Sequence, residues 1–285
     1  MHLFVTGATG FLGSHFIAAS MAAGHRVTAV SRRGSKPRVK ITQEPHWCYG
    51  NLSENWSQHL KNCDVFVHLA AAGVVSHKDD WDYCHRINLS QSLNIWLQAI
   101  NSGVKQFLIC GSCFEYGITG LDYEYIPADA PLLPTDAYSS SKAAASMAAL
   151  GIANEFNIKL LIVRPFHIYG DGEAPTRFWP SLKRAALAGE DFQMTEGHQV
   201  RDFMPVEDAA SVILKLIYQL KYMPTNFAIH NIGTGRPSTL INFAQKQWSY
   251  FNAKGTLLPG HIPYRSNEIM RYVPLVASHI LGLCV

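Results

Sequence analysis

Tyr138 and Lys142 stand four residues apart in TDAYSSSKAAASMAAL, residues 135–150, at the head of an alanine-rich stretch. Positions i and i+4 share one face of a helix, so this phenol and this amine can address a single object. Thr135 or Asp136 can cap such a helix by accepting hydrogen bonds from its first-turn N–H groups. A free phenol has a pKa of about 10, and a nearby cation favours its ionised form, bringing proton transfer closer to neutrality. Taken alone, such a pair is common by chance and fits a solvated helix surface better, so the rest of the chain must decide.

A second candidate lies near the N-terminus. Strand-like residues 2–6 run into Thr6-Gly7-Ala8-Thr9-Gly10-Phe11-Leu12-Gly13, followed by a helical pattern. Glycines in this context permit a tight turn and close approach of a pyrophosphate, while the helix N-terminus supplies N–H donors. Gly7, Thr9, Gly10, Phe11, Leu12 and Gly13 are therefore candidate dinucleotide contacts. The next strand, 26–31, should end beside the adenosine ribose, where an NAD site usually carries an acid. Here the chain reads Ser31-Arg32-Arg33. A hydroxyl and two guanidinium groups suit a 2′-phosphate, so NADP(H) is expected in preference to NAD(H).

These side chains need a frame to hold them. The pattern predicts strands at 2–6, 26–31, 45–49, 64–70, 104–111 and 158–164, and helices at 11–23, 79–101 and 136–155. Strands alternating with helices imply right-handed crossovers and an α/β fold, a Rossmann-type doubly wound parallel sheet. After Arg164-Pro165 the pattern loosens, with Gly/Pro punctuation at 170–180, 189–205 and 233–237. The expected division is a dinucleotide-binding domain over 1–165 and a smaller C-terminal, mainly substrate-binding domain over 166–285, with segments near 205–232 returning to the sheet.

The 285 residues, 48% hydrophobic, suffice for a substantial core, and 24 basic against 21 acidic residues leave +3. That balance gives no case for nucleic acid or a membrane as partner. The cysteines at 48, 63, 84, 110, 113 and 284 show no CxxC or CxxH spacing, so reduced thiols and no metal are expected. With no signal peptide read at the N-terminus, the expected location is cytoplasmic.

Taken together, TGATGFLG at 6–13, HLAAAG at 68–73, Asn88, GSCFEYG at 111–117, YSSSK at 138–142, RPFHIYG at 164–170, VRDFMPVEDAA at 200–210 and NIGTG at 231–235 resemble the extended short-chain dehydrogenase/reductase family. The family includes sugar-nucleotide epimerases, dehydratases and ketoreductases. The resemblance implies that Tyr138 is the acid or base, that Ser112 hydrogen-bonds the reacting oxygen, and that Lys142 binds the nicotinamide ribose. Asn51 occupies the place of the family's adenine-contacting Asp, beside Leu52. Leu69, Ala70 and Ala71 would pass beneath the cofactor, and Asn88, Pro165 and His167 complete its set. On the substrate side the resemblance implies Ser112, Cys113, Phe114, Tyr138, His167 and Arg177, with Arg201 and Arg265 clamping a nucleoside diphosphate.

Departures from the family pattern narrow the chemistry. Cys113 and Phe114 stand where the 4,6-dehydratases carry an Asp-Glu pair, which disfavours dehydration. Glu115 lies one place further on, where an extended segment would point it elsewhere. The first reading is NADPH-dependent reduction of a nucleotide-activated 4-keto-6-deoxy sugar at C4. The alternatives are a nucleotide-sugar 4-epimerase with tightly bound NAD, and a dinucleotide-sensing protein without turnover. A homodimer is expected through helices 79–101 and 136–155, with Ile95, Trp96, Ala144 and Met147 as candidate contacts.

Overall fold

The computed structural model describes residues 1–74 and 79–283. Cys284, one of the expected thiols, lies outside the described residues, whereas Cys48, Cys63, Cys110 and Cys113 form no disulfide. In chain order the elements are β1 (His2–Thr6), α1 (Phe11–Ala22), β2 (Arg26–Ser31), β3 (His46–Tyr49), α2 (Ser57–Leu60), β4 (Val65–His68), α3 (Trp81–His85), α4 (Ser92–Asn101), β5 (Gln106–Cys110), α5 (Ala137–Glu155), β6 (Lys159–Pro165) and β7 (His167–Tyr169). There follow α6 (Phe178–Ala188), β8 (Phe192–Gln193), β9 (Val200–Pro205), α7 (Val206–Ile217), β10 (Phe227–Ile232), β11 (Pro237–Thr239), α8 (Leu240–Tyr250), β12 (Leu257–Leu258), β13 (Arg271–Tyr272) and α9 (Ser278–Leu281).

The main sheet runs β10-β6-β5-β4-β1-β2-β3, with every pairing parallel. Its strands are near-continuous apolar runs, as a sheet covered on both faces requires, and β4 is buried along its whole length. Alternation sends Leu3, Val5, Val65 and Val67 to one face, against α1 and α7. Phe4, Phe66, Phe107 and Ile109 go to the other, against α4 and α5. On α5, Ala145, Ala149 and Ala153 recur every fourth residue, so small side chains let that helix lie close on the sheet. The chain winds outward from β1 to β3, then restarts at β4 on the other side of β1. The gap between β1 and β4 is the switch point at which such sheets bind ligands.

Beyond β6, a second, smaller region forms a mixed sheet around β9, which pairs with β7, β11 and β13, together with a short β8–β12 pair. β10 returns to the main sheet beside β6. The helix expected over 79–101 is interrupted by a π turn at Arg86–Gln91, where the Ser92 hydroxyl donates to the Ile87 carbonyl at 3.1 Å. The strand expected over 64–70 stops at His68, because Leu69–Ala71 leave the sheet. No helix among the described residues is long and apolar enough to cross a membrane. Of the residues expected at a subunit contact, Ile95 and Trp96 are buried in the chain's own core, whereas Met147 is 60% exposed.

Candidate active site

At the switch point the turn after β1 is folded as only glycine allows. Gly7 has φ +72°, and a Cβ there would meet the Leu69 carbonyl oxygen at 2.6 Å. A Cβ on Gly13 would strike the Gly7 carbonyl, whose carbon lies 2.9 Å from it. Gly10 begins α1 without any side-chain cap, so that helix presents its first N–H groups to whatever lies in front of them. In front is a cleft of about 800 Å³ lined by Gly7, Thr9, Gly10, Phe11, Leu12 and Gly13. A side chain at Gly7 or Gly13 would press on the backbone of Leu69, Ala70 or Gly7 and force the turn out of shape, and the uncapped N–H groups it presents suit an anion, so the turn fits a dinucleotide pyrophosphate.

The same cleft is lined by Arg32, Asn51, Leu52, Leu69, Ala70, Ala71, Pro165, His167 and Arg177, and by Ser112, Cys113, Phe114, Tyr138 and Lys142. Ser31, Arg33, Asn88, Arg201 and Arg265 do not line it. Ser31 is buried and its hydroxyl donates to the Arg32 carbonyl at 3.1 Å. Arg33 and Arg265 are exposed. Asn88 works one layer back: its amide accepts from Ala72 N at 2.7 Å and donates to the Ala72 carbonyl and the Ser141 hydroxyl, tying the loop after β4 to α5. Arg201 is held by the Val200 and Ile269 carbonyls and by Glu268.

Tyr138 and Lys142 lie one turn apart on α5. Asp136 caps that helix, its carboxylate accepting from Ser139 N at 2.7 Å, while the Ser139 hydroxyl accepts from Asp136 N. Ser112 follows β5 and caps the short turn Cys113–Tyr116. Burial pushes the Tyr138 phenol above its ordinary value, and a hydrogen bond with Ser112 pulls it partly back. The Lys142 ammonium, itself buried, donates to the Cys110 carbonyl at 2.7 Å.

The turn after Ser112 explains where Glu115 goes. It is helical rather than extended, and it carries the Glu115 carboxylate inward, where it accepts from Ser112 N at 2.7 Å, Arg164 Nε at 2.9 Å and the Ser146 hydroxyl at 2.8 Å. Arg164 also donates to the Tyr116 hydroxyl and the Ala128 carbonyl, both at 3.0 Å. Under the cleft, His68 bridges the Thr6 and Ser92 hydroxyls at 2.8 Å and 3.0 Å, and burial lowers its pKa to about 3. His167 is likewise lowered to about 3 by burial and by Arg201 and Arg177, so it faces the cleft as a neutral ring.

Sequence reasoning missed the far wall. Tyr169, Phe178, Trp179, Phe203 and Phe243 line it, with the Phe203 and Phe243 rings stacked 4.0 Å apart. They come from β7, α6, β9 and α8 and meet only through the second sheet, so no local spacing signals them. Glu173 also faces the cleft, with one buried carboxylate oxygen lacking a partner among the described residues, and burial raises its pKa to about 7.

Sheet and glycine turn form a dinucleotide-binding fold, with Ser112, Tyr138 and Lys142 together in its cleft. The chain belongs to the NAD dependent epimerase/dehydratase family, whose profile matches residues 3–233. UDP-arabinose 4-epimerase 1 of Arabidopsis thaliana is 25% identical over 86% of this chain, and the chain spans 66% of that protein's length. UDP-glucose 4-epimerase of Lacticaseibacillus casei is 26% identical, with 86% of this chain and 81% of that protein covered. Among solved structures, MoeE5 in complex with UDP-glucose and NAD has a TM-score of 0.79 at 26% identity, covering 99% of this chain and 92% of that one.

Two expectations are corrected. NADP(H) was expected from Ser31, Arg32 and Arg33, but MoeE5 holds NAD. In this chain Ser31 is turned to a backbone carbonyl and Arg33 lies outside the cleft, which leaves only Arg32 of the three at its wall. Reduction of a 4-keto-6-deoxy sugar with NADPH is overturned with it, since both relatives are 4-epimerases and the solved structure holds NAD beside a nucleotide sugar.

Proposed function

We propose that this chain is a nucleotide-sugar 4-epimerase that retains NAD through the catalytic cycle. The observation that carries the reading is the meeting of Ser112, Tyr138 and Lys142 with the uncapped glycine cradle in one cleft of about 800 Å³. Bound NAD would supply a reversible hydride acceptor. Gly7, Gly10 and Gly13 would hold its pyrophosphate, Asn51 and Leu52 would border its adenosine, and Lys142 would hold the nicotinamide ribose. Tyr138 takes the proton of the sugar C4 hydroxyl at its phenolic oxygen and returns it at the end, while Ser112 donates to the same oxygen as negative charge develops there. Inversion requires the oxidised sugar to present its other face, and the stacked Phe203 and Phe243 rings of the cleft wall offer a surface without hydrogen-bonding groups to fix one orientation. His167 and Arg177 contact the diphosphate or sugar.

The active form is a homodimer through the outer faces of α4 and α5, where Leu97 and Met147 are exposed. Incubation with UDP-arabinose, UDP-glucose or UDP-N-acetylglucosamine, followed by NMR of the sugar C4 proton, should show conversion to the C4 epimer with no added reductant. Lack of conversion across this panel by folded, NAD-bearing protein would overturn the proposal.

A further inference from the structure

Away from the cleft, β3 is the last strand of the main sheet. His46 and Cys48 are two residues apart on it and so point to the same face. The short helix α2 brings His59 over that face. The Cys48 sulfur and His59 Nδ1 are 3.3 Å apart, and one ligand atom from each of the three residues lies within 4.8 Å of the others. The His46 and His59 rings stand 6.1 Å apart, tilted at 31°. Neither histidine is buried, whereas Cys48 is. None of the three lines the catalytic cleft.

We propose that His46, Cys48 and His59 form a binding site for a zinc-class divalent transition-metal ion. Two imidazoles and a thiolate are the donors such an ion prefers. Bonds of about 2.0 to 2.3 Å in tetrahedral geometry put donor atoms about 3.3 to 3.6 Å apart. The Cys48–His59 pair already has that spacing, and rotation of the exposed His46 ring closes the remainder. A thiol must give up its proton to ligate such an ion. Binding displaces that proton to solvent and forms the metal–sulfur bond. Three protein ligands leave the fourth position to water.

The site has a structural consequence for the cleft. Trp56, at the start of α2, donates from its indole nitrogen to the Asn51 carbonyl at 3.0 Å, and Gly50, Asn51 and Leu52 line the cleft. An ion joining α2 to β3 therefore braces the segment between them.

Chelator-treated full-length protein titrated with Co²⁺ tests the assignment, independently of any sugar turnover. The expected result is a thiolate-to-cobalt charge-transfer band with tetrahedral visible bands, displaced by Zn²⁺, and a rise in Tm with Zn²⁺. Cys48→Ser should abolish the charge-transfer band. His59→Ala, at an exposed position where folding is not at stake, should lower Co²⁺ affinity by about tenfold or more. No thiolate band in the folded protein, visible bands from surface imidazoles alone, or a band unchanged in both variants would each overturn the site.

Discussion

The Glu115 carboxylate meets the Arg164 guanidinium at 2.9 Å in a part of the molecule closed to water, with 0% and 2% of the two side chains exposed. Its other oxygen accepts from the backbone nitrogen of Ser112. One buried ion pair therefore sets the position of the residue proposed to touch the reacting oxygen.

Glu115→Gln keeps the size and an acceptor for Ser112 N but leaves Arg164 charged and uncompensated in the interior. Removing one partner of such a pair costs about 3–5 kcal/mol. Chemical denaturation should register a loss of that order.

Gly13→Ala places a methyl group against the Gly7 carbonyl and must displace the turn. Affinity for NAD, measured by calorimetry on folded protein, should fall by about tenfold or more, equivalent to about 1.4 kcal/mol. Binding at full strength would show that the glycine turn is not the pyrophosphate cradle.

How legible this was in the sequence varied with the reach of the contacts. β1, the Gly7–Gly13 turn and α1 are contiguous, so strand, turn and helix signals sit side by side and all emerge from the residues alone. Tyr138 and Lys142 were legible because helical periodicity links them locally. Asn88 was visible as a motif position and Glu115 was expected to point elsewhere, because their inward anchoring depends on Ser141 and Arg164, each about fifty residues further along the chain. The aromatic wall was not legible, since Tyr169 and Phe243 meet at 4.9 Å only after β7 and β9 have paired. Cofactor choice was misread because Ser31 and Arg33 share a strand end with Arg32 but turn away from the cleft.

His68 makes stability depend on pH. Its folded pKa of about 3 lies below its ordinary 6.5, because burial penalises the charged ring. The unfolded chain thus binds a proton first, and stability present above about pH 6.5 is lost as pH falls toward the folded value. The expected slope from this group is about 1.4 kcal/mol per pH unit below about pH 6. His68→Asn should flatten the pH dependence of urea unfolding between about pH 6 and 4 by that amount; an unchanged slope would count against a buried neutral His68.

Met147 is 60% exposed on α5, and Leu97 is 38% exposed on α4. If a second copy covers this face, Met147→Asp buries a charge at the contact and should shift the mass from dimer to monomer by light scattering. A monomeric unaltered protein would rule the arrangement out.

Tyr138→Phe tests the chemistry most directly. The substitution preserves the ring and its packing in the cleft wall and removes only the oxygen proposed to move the proton. General acid–base catalysis is typically worth about 10²- to 10⁴-fold, so turnover should fall within that range while NAD affinity holds. Ser112→Ala should also slow turnover, through a lost donor to the developing oxyanion. Lys142→Met should differ from both by weakening NAD binding as well, because its amine can leave the Cys110 carbonyl for the ribose hydroxyls. The phenol is held above its ordinary pKa by burial, against the pull of its hydrogen bond with Ser112. A cation brought near by bound dinucleotide should lower it, so the rate in the unaltered enzyme should rise with pH across the Tyr138 titration. A folded, NAD-bound Tyr138→Phe protein that epimerises at an undiminished rate would remove Tyr138 from the mechanism and leave YSSSK as part of the cleft wall.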